Sequence, residues 1–158
     1  MTIVQTFKVR FAIRSGGHQP CPGYGSVDGD AILIDMSRLN HVEVAADKKT
    51  ISFGPGGTWK PIYEALEGTG RSVIGGRTGD VGIGGLILGG GLPSFSSEFG
   101  LVCDNVEEFE VVLSDGSIVA ASPAQNDDLF WALKGGAANF GMYRPDARTG
   151  PLLTFQVS

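Results

Sequence analysis

A single domain mixing short helices with paired strands is what this sequence predicts, and three observations carry that prediction. Alternating apolar stretches at 42–45 and 50–53, and again at 106–113 and 117–121, each fold back over a polar turn, which makes two hairpins. Trp59, Ile62, Tyr63 and Leu66 recur at helical spacing, and 127–133 opens with two acids and closes at Lys134, which makes two short helices. The 25 glycines cluster between the apolar runs instead of being spread along the chain.

The bounds are those of a soluble globular protein. At 158 residues the length fits one domain, and a chain of this size buries roughly 68–70% of its unfolded surface. Apolar residues are 42% and charged residues 18%, which excludes a disordered polar chain. A net charge of −5 and a pI near 4.9 repel nucleic acid and anionic membranes, and no basic stripe offsets them. The longest apolar run, 81–93, is too short and glycine-rich to span a bilayer. The first ten residues lack the basic-then-apolar layout of a secretion signal, so compartment stays open. Cys21 and Cys103 lie far apart and form neither a disulfide framework nor a metal pattern.

In chain order, 7–13 alternates as a strand and delivers the chain into Arg14-Ser15-Gly16-Gly17-His18, a glycine turn presenting a histidine. A loop of Pro20, Pro22, Gly23, Gly25 and Gly29 follows, and 31–36 reads as a buried strand. The first hairpin turns at Asp47-Lys48-Lys49, and His41 before it is a surface residue. Gly54-Pro55-Gly56-Gly57 breaks that strand, with Thr58 as N-cap of the first helix and Gly68 and Gly70 at its end. The second hairpin turns at Ser114-Asp115-Gly116. In the helix over 127–133, Phe130 and Trp131 are expected in the core.

Between the first helix and the second hairpin, nine of the nineteen residues of 73–91 are glycine. Each glycine in a helix costs about 1 kcal/mol relative to alanine, so something offsets that density. Close backbone approach to a ligand is one reason: successive exposed N–H groups make an anion-binding concavity suited to a pyrophosphate. A glycine-lined packing seam is the other. The dinucleotide spacing G-x-G-x-x-G fails, because Ile87 stands where the third glycine is required, and no glycine precedes a lysine as in a P-loop.

Taken together, Arg14-Ser-Gly-Gly-His18, Leu33-Ile-Asp-Met-Ser-Arg-Leu-Asn40, Gly54-Pro-Gly, Gly75-Gly-Arg, Val81-Gly-Ile-Gly-Gly-Leu, Gly89-Gly-Gly91, Cys103-Asp-Asn-Val and Asp128-Leu-Phe-Trp-Ala-Leu-Lys-Gly-Gly136 resemble a known family. It is the berberine-bridge-enzyme-like FAD-linked oxidoreductases, of the vanillyl-alcohol oxidase and p-cresol methylhydroxylase superfamily, in its fungal form. The resemblance runs from about Phe11 to Met142. It implies an α+β, p-cresol-methylhydroxylase-type FAD-binding domain, a mixed sheet with flanking helices, over 1–142. It further implies that Arg14, Ser15, Gly16, Gly17, His18, Gly76, Gly79, Val81, Gly82, Gly84, Gly85, Gly89, Gly141 and Met142 contact FAD, with His18 carrying the flavin covalently through its 8α-methyl. Doubly linked members add a cysteine where Thr78 stands here, so one bond is expected; Cys103 is expected as a buried thiol and Cys21 as either exposed or packed.

Departures from the family matter too. Against the family pattern, the chain is expected to lack the usual preceding βαβ segment and the substrate domain, and 143–158 is expected to diverge, with Pro145 removing a donor from what would be a strand. An incomplete domain is therefore expected. The function implied is hydride transfer from a small organic substrate (an alcohol, sugar or secondary metabolite) to flavin N5, with dioxygen as acceptor and no catalytic base identified. Tyr24, Tyr63 and His41 are the remaining residues to search for one. The alternative is a non-catalytic flavin-binding remnant; a nucleotide-sugar reductase of similar fold leaves His18 unexplained.

Overall fold

The computed structural model describes residues 2–21, 24–149 and 153–154. The chain opens with helix α1 (Thr2–Phe7) and strand β1 (Arg10–Arg14), so the strand expected from residue 7 begins three residues later. Lys8 turns the chain between them at φ +51°, a conformation that apolar alternation does not reveal, and Phe7 is left largely exposed. Strand β2 (Ala31–Asp35) pairs with β1 in parallel, Arg10 opposite Ala31 and Arg14 opposite Asp35. Residues 31–34 are half-buried instead of buried, in a sheet of only two strands.

β3 (Val42–Val44) and β4 (Ile51–Phe53) form the first expected hairpin. Helix α2 (Trp59–Leu66) follows, then β5 (Arg71–Ser72) and the short helices α3 (Ile83–Leu88) and α4 (Ser96–Phe99). β6 (Val106–Val112) and β7 (Ile118–Ala121) form the second hairpin. Helix α5 (Asp127–Leu133), β8 (Met142–Thr149) and β9 (Leu153–Thr154) complete the described chain. Five strands make one antiparallel sheet in the order β3-β4-β8-β6-β7, and β5 pairs with β9.

Period-two alternation decides what this sheet buries. Ile51 and Phe53 flank Ser52, Phe109 and Val111 flank Glu110, and all four apolar side chains are fully buried. α2 lays Trp59, Ile62 and Leu66 into the same core, with the Phe53 and Trp59 rings edge-on at 5.9 Å and the Phe109 and Phe130 rings 5.8 Å apart. Thr58 occupies the N-cap position of α2 in extended conformation, but its hydroxyl makes no capping bond.

Two expectations are corrected. Trp131 is not core: it is 79% exposed, because Phe130 and Leu133, three apart, take the inward face of α5 and the intervening residue points to solvent. Pro145 does not prevent a strand, since β8 runs through it at the centre of the sheet. The register supplies the reason. Between the pairs Glu108/Arg148 and Glu110/Arg144, one residue of β6 stands opposite three of β8, so the ladder is interrupted where the proline lacks its donor. Among the described residues no helix is long and apolar enough to cross a membrane.

Candidate functional site

The parallel pairing of β1 and β2 ends both strands on the same side, and the Arg14–His18 loop leaves from that end. Carboxyl ends of parallel strands are where α/β sheets place ligands. The register sets Arg14 opposite Asp35, and Arg14 Nη2 meets Asp35 Oδ2 at 2.6 Å. That guanidinium, with the Ser37 amide donating to Asp35 Oδ1 at 2.9 Å, holds the Asp35 carboxyl well below the usual carboxylate range. Arg14 therefore reaches the site already paired, and the anion-binding capacity there rests on backbone donors.

Those donors are present. Among the described residues, the backbone N–H groups of Gly16, Gly17 and His18 have no hydrogen-bond partner, and Gly17 turns at φ +65°. Successive amides around a left-handed residue are the kind of backbone that can cradle an anion. The second glycine stretch packs against it back to back: a Cβ on Gly16 would lie 2.5 Å from Gly82 Cα. Ser15 ties the assembly to a third loop, its hydroxyl donating to the Pro55 carbonyl and accepting from the Gly84 amide at 3.2 Å.

Between the two glycine loops lies a cleft of about 320 Å³. Arg14, Ser15, Gly16, Gly17, His18, Val81, Gly82 and Gly85 line it, all of them expected from the sequence, together with Gln19, Gly25 and Leu86, which were not. On the far side of Ser15 and Gly85 is a smaller, apolar cavity of about 80 Å³, where Gly84, Gly141 and Met142 meet Ile13, Met36 and Leu88. Eleven of the fourteen expected contact residues thus gather around two adjoining spaces. Gly76, Gly79 and Gly89 line neither. Gly76 is pressed on the Trp59 indole, Gly79 on the Lys60 Cβ, and Gly89 ends α3. The packing-seam reading of the glycine stretch is therefore realised at Gly76 and Gly79. Gly85 is the open one, with nothing within 4 Å of the space its Cβ would fill.

His18 is exposed at the cleft wall. The fallback base residues lie elsewhere: His41 is exposed, Tyr24 is 68% exposed, and Tyr63 donates its phenol to the Gly76 carbonyl. None of the three lines the cleft. Thr78 is exposed, Cys103 is a buried free thiol with its pKa raised chiefly by burial, and Cys21 is an exposed one.

A family model for the FAD binding domain matches residues 1–122. The chain belongs to that FAD-binding family. A fungal FAD-dependent monooxygenase of Arthrobotrys oligospora is 48% identical over 154 residues, which is 95% of this chain and 30% of that protein. Among solved structures, the berberine bridge enzyme H174A variant in complex with (S)-reticuline superimposes with a TM-score of 0.87 at 28% identity, covering 98% of this chain and 31% of that one. Glucooligosaccharide oxidase from Acremonium strictum, whose FAD is described as 6-S-cysteinyl, 8α-N1-histidyl, gives 0.80 at 31% identity over 93% of this chain and 31% of the oxidase. The chain thus spans about 30% of the length of the curated relative it matches. The expected α+β fold of the p-cresol-methylhydroxylase-type FAD-binding domain, in its berberine-bridge-like form, is confirmed.

The residues present fit FAD on two counts. The unpartnered amides suit phosphate oxygens, and Gly85 leaves open the space beside the cleft that any side chain would occupy.

Proposed function

We propose that this chain is the flavin-holding part of an oxidoreductase acting on a small organic substrate, an alcohol, a sugar or a secondary metabolite. The observation that supports it is the cleft itself: an unpaired amide nest and a histidine on one wall, an open glycine on the other. Gly16, Gly17 and His18 N–H groups donate to the pyrophosphate of FAD, and the paired Arg14 carries only part of the charge balance. The His18 imidazole is the attachment point for the flavin ring; with Thr78 at the second position, a single bond is expected. Val81 and Gly82 wall the reactive side, and Gly141 and Met142 border the adjoining cavity. FAD bound there supplies a hydride acceptor at N5, reoxidised by dioxygen, and its potential is raised by an imidazole link.

The experiment is acid precipitation of the purified protein after incubation with FAD. Flavin fluorescence should stay on the precipitated chain and be lost in His18→Ala. Fluorescence left entirely in the supernatant of the unaltered protein overturns the covalent link, and failure of the chain to retain any flavin before precipitation overturns the flavin reading itself.

A further inference from the structure

We propose that Ser15 is a positioning residue of the cleft and not a ligand to the flavin, a refinement that rests on the FAD reading above. Its place in the Arg14–His18 segment, directly before two ligand-facing glycines, suggests a hydroxyl donating to phosphate. The hydrogen bonds exclude that. A serine hydroxyl has one proton to donate, and here it goes to the Pro55 carbonyl, while an oxygen lone pair receives the Gly84 amide at 3.2 Å. Nothing remains with which to donate to an anion.

What the hydroxyl does instead follows from the sequence distances it spans. It joins three segments separated by 40 and 69 residues: the loop after β1, the Gly54–Gly57 loop, and the first turn of α3. One residue further on, Gly16 and Gly82 are in backbone contact with no space for a side chain. Ser15 is the polar pin and the glycine pair the apolar one, and between them the loop has a single way to sit. That placement fixes the backbone of Gly16, Gly17 and His18, whose unpartnered amides line the cleft. Without the pin, the Gly84 amide loses its acceptor, the Pro55 carbonyl loses its donor, and the nest is held by one contact.

Two readouts separate this role from others: selectivity for FAD over riboflavin separates it from a merely structural serine, and the Gly84→Ala variant, which keeps the Ser15 hydroxyl, separates it from a ligand. Positioning amides for a pyrophosphate matters to FAD and not to riboflavin, which has the same ring and no phosphate. In a His18→Ala background, where binding is reversible, Ser15→Ala should weaken FAD about tenfold, equivalent to about 1.4 kcal/mol, and leave riboflavin affinity unchanged. Gly84→Ala is the second variant: its Cβ would lie 2.9 Å from the Pro55 carbonyl oxygen and 3.0 Å from Ser15 Oγ, so it opens the same pin from the other side. It should reproduce the FAD-selective loss with Ser15 intact. Equal FAD affinity in His18→Ala with and without Ser15→Ala overturns the proposal, as does a parallel loss of FAD and riboflavin. If His18→Ala with Ser15 intact binds neither flavin, the FAD reading falls and takes this one with it.

Discussion

Gly16 and Gly82, 66 positions apart, meet through their backbones: a Cβ built on either would lie 2.5 Å from the other. No side chain relaxes out of such a contact, because the atoms it strikes belong to the main chain. Replacing either by alanine is expected to cost about 1–3 kcal/mol through overpacking and to weaken FAD. Gly85→Ala should behave in the opposite way. It lies inside α3 with open space around it, so alanine there should raise stability by roughly 0.5–1 kcal/mol while filling the cleft and weakening FAD. Urea midpoints beside flavin titrations separate the two classes; equal destabilisation by all three substitutions would erase the distinction between seam and cleft.

Adjacent aromatics on α5 make a second contrast. Phe130 is 7% exposed against the Phe109 ring, whereas Trp131 is 79% exposed. Phe130→Ala should cost about 3–5 kcal/mol, and Trp131→Ala should stay within about 0.5 kcal/mol. Thermal or urea unfolding of the two variants is the check. Iodide should quench the Trp131 fluorescence and spare that of the fully buried Trp59. A core-sized loss at Trp131 would contradict the exposure.

These contrasts also mark where sequence reasoning reaches its limit. Both hairpins were legible, because period-two alternation and a polar turn are local signals read over a dozen residues. The clustering of Ser15–His18 with Val81–Gly85 was legible only as a pairing of glycine stretches. Which glycines line the cleft and which press on neighbouring atoms was not, since both situations are served by the same missing Cβ. Trp131 was misplaced because apolarity ranks a residue without fixing its helical phase, and Phe130 had already taken the inward direction. Pro145 was misjudged for a different reason: the register shift that accommodates it, with 145–147 of β8 facing Phe109 alone, is a property of the β6–β8 pairing that neither strand shows by itself. The Arg14–Asp35 pair, 21 positions apart, was hidden because parallel register cannot be read from either strand alone.

Tyr63 gives the remaining test, in pH. Its phenol donates to the Gly76 carbonyl beneath the second glycine stretch, and burial pushes its pKa up to about 12 from an ordinary 10.0. A phenol so held is no base at neutral pH, which removes Tyr63 from the search for one. The fold favours the neutral form, so the folded pKa lies above the unfolded one. The stability this contributes is fully present below about pH 10 and is lost as pH rises through about 12. Tyr63→Phe should cost about 1 kcal/mol near neutrality, from the lost hydrogen bond and the unpaired Gly76 carbonyl. Above about pH 10 the variant should lose less further stability than the parent, so the two curves converge. Urea midpoints of both proteins at about pH 7 and about pH 11 test this. Curves that stay parallel across that interval would mean that the Tyr63 phenol ionises as readily folded as unfolded, and that its bond to Gly76 does not hold the proton.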